Sequence, residues 1–97
     1  MKYQTQPYTE LEEVAVLLEE EIDIDEFELV VFNDDVNTFE HVTKILIKVC
    51  QHTQEQAEQC TIIIHYKGKC AVKKGSREHL KPMCQSLLDA GIQAAII

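Results

Sequence analysis

Hydrophobic and polar positions change period along the chain, and the changes mark out six elements. Phe27–Phe32 carries apolar residues on both faces and includes β-branched Val30 and Val31, which predicts a strand. Asn33-Asp34-Asp35 ends it, because short amide and carboxylate side chains bond nearby backbone amides and favour turns. Phe39, Val42, Ile45, Leu46, Val49 and Cys50 then stack along one helical face, with Lys44 and Lys48 outside the stripe. Asn37 is the expected cap of this helix, with Glu40 reaching back to it, so the helix starts near Thr38.

The next segment holds a conflict between propensity and flanks. Thr61-Ile62-Ile63-Ile64-His65-Tyr66 reads as a strand on β-branching alone. Thr53 followed by Gln56 is a capping-box start, Ala57, Cys60, Thr61 and Ile64 keep a helical stripe, and Gly68 suits a left-handed cap. These signals predict a helix from about 54 to 67, with His65 near its end, where carbonyls are unpaired. Lys69–Lys74 predicts a short strand and Gly75-Ser76 a turn. Leu80, Met83, Cys84, Leu87 and Leu88 form a third helical stripe ending before Gly91. Pro82 leaves its start anywhere from Arg77 to Pro82, and residues 92–97 close the chain as a strand. The order β-α-α-β-α-β predicts an α+β sandwich, a three-stranded sheet with helices on one face.

Composition narrows the function. Ninety-seven residues at 45% apolar content make one small domain with one modest core. Seventeen acidic against nine basic residues give a net charge of -8, which disfavours nucleic acid and anionic membranes as partners. No stretch approaches the roughly 20 apolar residues of a membrane span, and no signal-peptide pattern opens the chain, so a cytoplasmic protein is expected. Residues 1–26 are set apart as an acidic extension in which Lys2 is the only base, either a solvating leader or an arm offered to a partner. Cys50, Cys60, Cys70 and Cys84 lack the close pairing of zinc ligands and read as small buried hydrophobes, so no metal or cofactor is expected. His52 near Cys50 has no orienting partner in sequence, so no nucleophile is assigned.

The chemistry gathers at the strand-to-helix corner. Asn33, Asp34 and Asp35 can point oxygens at one spot, and carboxylates without a basic neighbour in sequence attract a cation such as a protonated amine. The run Asn33-Asp34-Asp35, the helix opening Asn37-Thr38-Phe39-Glu40-His41-Val42 and the later Ile64-His65-Tyr66-Lys67-Gly68-Lys69 together resemble the ClpS adaptors over about residues 27–97. The variant Asp-Asp-Val-Asn-Thr-Phe resembles a subgroup from Bacteroidetes-type bacteria.

That resemblance implies a non-catalytic adaptor. It would bind the free N-terminus of proteins beginning with Leu, Phe, Tyr or Trp (N-degrons) and deliver them to a Clp-type AAA+ unfoldase paired with the ClpP peptidase. Carried over, Asn33, Asp34, Asp35 and His65 would surround the α-ammonium group. Phe39, Val42 and Ile64 would wall the pocket for the first side chain, with Asn37 at its rim. Ala94 would stand where many members close the pocket with Leu, unless a shifted register brings Ile92 or Ile96 there. The acidic extension would enter the unfoldase, and a surface near Glu78 would dock on the unfoldase's N-terminal domain. Phe39 replaces a Met common in the family, and Asn37-Thr38 replaces Thr-Pro. The implied fold agrees with the order read from periodicity and resembles the C-terminal domain of the ribosomal stalk protein.

Two other classes are open to test. An enzyme would use Asp34 and Asp35 as metal ligands or as an acid–base pair with His65. A plain protein-interaction module would have no amine pocket, and changes at His65 or Asp35 would leave its binding intact.

Overall fold

The computed structural model describes residues 26–97. The expectation for the acidic extension falls almost wholly on residues outside that range. The elements are β1 (Phe27–Phe32), α1 (Phe39–Cys50), α2 (Gln54–Lys67), β2 (Lys69–Gly75), α3 (Arg77–Asp89) and β3 (Ala94–Ile96). They follow the order expected from the sequence. β1 is the central strand of the sheet and pairs antiparallel with β2 on one side and β3 on the other. Its central position accounts for the apolar residues on both faces: Leu29 and Val31 are fully buried and Val30 nearly so.

Local signals fix the helices. α2 carries the complete capping box, with Thr53 Oγ1 accepting from the Gln56 N–H and the Gln56 side chain accepting from the Thr53 N–H. It ends at Gly68, whose φ of 92° puts it in the left-handed region and whose N–H donates to the Ile64 carbonyl. Helix therefore prevails over the β-branched run, because both ends are capped and Ala57, Thr61 and Ile64 are buried on one face. α3 begins at Arg77 under a Ser76 cap and keeps Pro82 inside it. The ring nitrogen cannot donate to the Glu78 carbonyl, which lies in the exposed first turn and can turn to water. The Arg77 guanidinium lies 4.6 Å from the centroid of the Phe27 ring and fastens the start of α3 to the edge of the sheet.

Leu29, Val31, Leu46, Leu80, Leu87 and Ile92 anchor one core between the helices and the sheet. One polar chain runs through it: Thr43 Oγ1 donates to Thr61 Oγ1 at 2.9 Å, and Thr61 Oγ1 donates to the Ala57 carbonyl at 2.8 Å. Thr61→Val removes the acceptor for a buried hydroxyl, and the expected result in urea titration is a loss of about 1–3 kcal/mol of stability. None of the described helices is long and apolar enough to cross a membrane.

Candidate functional site

β1 and β2 run antiparallel with Phe32 opposite Lys69, so the end of the central strand lies beside the end of α2. The Asn33 N–H donates to the Gly68 carbonyl at 2.9 Å and extends that pairing into the turn. This bond brings Asn33 and His65 to the same end of the molecule although 31 residues lie between them in sequence.

The loop that follows is ordered by one carboxylate. Asp34 Oδ1 accepts from the backbone N–H groups of Val36 and Asn37 at 2.8 and 2.9 Å, and Asp34 Oδ2 accepts from Asn37 Nδ2 at 2.8 Å. The Asn37 N–H is the main influence holding the Asp34 carboxyl below its ordinary range. The Val36 N–H and the Asn37 side chain add to it, against a partial desolvation cost. Asn37 Nδ2 also donates to the Gly91 carbonyl at 2.8 Å, and His41 Nε2 lies 3.0 Å from the Ala90 carbonyl. The loop and the start of α1 are thereby fastened to the end of α3.

These bonds correct the expected cap. Thr38, not Asn37, caps α1, its Oγ1 accepting from the His41 N–H at 3.1 Å. Asn37 instead donates from Nδ2 to Asp34 and to the Gly91 carbonyl, and these bonds set the orientation of its side chain.

An open cleft of about 440 Å³ lies between this loop and α2. Asn33, Asp34, Asp35 and His65 line it together with Asn37, Phe39, Val42 and Ile64, so all eight residues expected at this corner meet there. Asp35 and His65 are exposed, Val42 and Ile64 are buried, and Phe39 is 46% exposed. The His65 ring meets Tyr66 edge to face at 5.0 Å between centroids. The lining therefore combines acceptors with apolar side chains, an arrangement suited to a small amphipathic cation.

Two lining residues were not expected, Thr38 and Thr61. Thr61 precedes Ile64 and His65 at three- and four-residue helical spacing, so the α2 stripe could have revealed it. Ala94 is the reverse case. It does not line the cleft but pairs with Val31 in the sheet and packs on the core, because β3 starts only at residue 94 and its register turns that side chain inward. Glu78 is exposed in the first turn of α3, three residues after Gly75. Since Gly75 pairs with Phe27 and Lys69 with Phe32, Glu78 lies at the opposite end of the sheet from the cleft, roughly 20 Å away by strand rise. Among the described residues, no cluster of three or more His, Cys, Asp or Glu side chains is placed to hold a metal ion.

Comparison with known proteins identifies the fold and the family. The solved structure of Agrobacterium tumefaciens ClpS2 bound to L-phenylalaninamide superposes with a TM-score of 0.72 at 18% identity, covering 75% of this chain and 95% of that one, and shares its fold. The Clp protease adapter protein ClpS of Thermosynechococcus vestitus is 36% identical over 70 residues, covering 71% of this chain and 74% of its own. That of a Nostoc species is also 36% identical over 70 residues, covering 71% of this chain and 72% of its own. The family model described as "ATP-dependent Clp protease adaptor protein ClpS" matches residues 22–94. With that match spanning most of its length, the chain belongs to the ClpS family of Clp protease adaptors.

Proposed function

We propose that the cleft captures the first residue of a polypeptide that has a free α-amino group and a large apolar side chain, so that this non-catalytic adaptor can hand the chain to a Clp-type AAA+ unfoldase and its peptidase in the cytoplasm. The observation that carries the reading is the joint lining of one cleft by polar Asn33, Asp35 and His65 and by apolar Phe39, Val42 and Ile64. An ammonium group has three donors and no acceptor, so it asks for converging oxygens or an unprotonated ring nitrogen. Asn33, Asp35 and the His65 ring supply them. Asp34 acts mainly by holding the loop, since three donors already occupy its oxygens. The ligand carried by the Agrobacterium structure fits the same logic, because L-phenylalaninamide pairs a free amine with an aromatic side chain and ends in an amide, as the first residue of a peptide does.

Phe39 would act as the gate for the first side chain. A β-branched Ile carries a methyl group next to the backbone, where the stiff ring of Phe39 opposes it, and overpacking costs roughly 1–3 kcal/mol. Peptides beginning with Leu, Phe and Trp are expected to bind at least about tenfold more tightly than an Ile-initiated peptide in fluorescence anisotropy; equal affinities would contradict the gate. Docking on the unfoldase's N-terminal domain is assigned to the α3 end of the molecule, around Glu78. Its place at the far end of the sheet leaves the cleft open to substrate while the adaptor is held.

A further inference from the structure

Sulfur is concentrated where α2 crosses β2. Cys60 lies on the face of α2 that carries Ala57 and Ile64 into the core. Cys70 stands opposite Val31 in the sheet register, on the side that the helices cover. After burial, Cys70 is the main neighbouring influence on the Cys60 thiol, Cys70 Sγ donates to the Ala71 carbonyl at 3.5 Å, and both cysteines keep partial exposure. The chain between them turns back at Gly68, so the fold itself sets the approach. Solvent reaches Cys60 through an open cleft lined by His52, Glu55, Gln56, Gln59 and Val72. Cys50, by contrast, is fully buried.

We propose that Cys60 and Cys70 form a redox modification site, a dithiol that hydrogen peroxide converts to an intramolecular disulfide stapling the last turns of α2 to β2. Cys70 is the first sulfur oxidised: its thiolate attacks the peroxide O–O bond, giving a sulfenic acid and hydroxide, which takes up a proton to become water. The Cys60 sulfur then attacks the Cys70 sulfur, and the displaced hydroxyl leaves as water with the Cys60 proton. In sum, two thiols and one peroxide give one disulfide and two waters. Burial first, and then the neighbouring Cys70, hold the Cys60 thiol protonated above the ordinary thiol range, which assigns it the second step. The contribution from Cys70 disappears once Cys70 is oxidised. The closed segment contains Thr61, Ile64 and His65, so the bond would fix the wall of the candidate site, and the proposal holds whatever ligand that site takes.

The test treats the full chain with hydrogen peroxide under native conditions, then alkylates free thiols and maps the peptides by mass spectrometry. Alkylatable thiols are expected to fall from four to two, with one cross-linked peptide joining Cys60 to Cys70, and a thiol reductant should restore all four. Cys60→Ser and Cys70→Ser should each abolish the cross-link; if either fails to fold, the map of the unsubstituted chain decides alone. A disulfide to Cys50, independent sulfinic acids on the two residues, or thiols that stay alkylatable would each overturn the proposal.

Discussion

Asp35→Ala is expected to weaken binding of a peptide with a free N-terminal Leu by roughly tenfold while leaving thermal stability unchanged. Its exposed carboxylate lines the cleft, and none of the hydrogen bonds that order the loop reach it. A charge-assisted hydrogen bond contributes about 1.5–3 kcal/mol, and exposure to solvent places Asp35 at the low end. Asp34→Ala should behave differently, weakening binding and also costing about 1 kcal/mol of stability, since two backbone N–H groups and the Asn37 amide lose their acceptor. The two variants thus separate contact with the amine from order in the loop. Isothermal calorimetry with thermal melts reads both effects, and a matched loss of stability in Asp35→Ala would contradict the assignment.

Acid adds a second signature at Asp34. Its carboxyl titrates lower in the folded chain than in the unfolded one, so its contribution to stability is complete above the ordinary carboxylate range and is lost as pH falls through the depressed folded value. Asp34→Ala removes that part of the acid sensitivity.

Leu46→Ala should produce the largest stability change, a loss of about 2–5 kcal/mol. Leu46 is fully buried on α1 within the core cluster, so truncation leaves a cavity that close-packed neighbours fill only in part. In a domain of this size the melting temperature should drop by roughly 10 °C or more. A drop of only a degree or two would mean that the core rearranges around the missing side chain.

Most of the framework was legible because its signals are local. Thr53, Gln56 and Gly68 bracket α2 strongly enough to outweigh the strand propensity of Thr61–Tyr66, and each performs the predicted capping role. The errors arise where distant contacts decide. Asn37 and Thr38 are both competent caps, and the contact that diverts Asn37 reaches Gly91, 54 residues away. Ala94 was expected in the cleft because it occupies a family position, but its orientation follows from where α3 ends and how β3 registers with Val31. Thr61 reads from the helical stripe as a core residue, and it is one; that it also borders the cleft depends on the open space between α2 and the loop.

The central claim is that this cleft recognises a free amine together with an apolar side chain. Calorimetric titration of the full chain with a Leu-initiated peptide and with its N-acetylated twin tests it directly, because acetylation removes the charge and leaves acceptors unpaired at about 1–3 kcal/mol each. The free peptide should bind more than roughly tenfold tighter than the acetylated one. Equal affinity of the two would contradict the account.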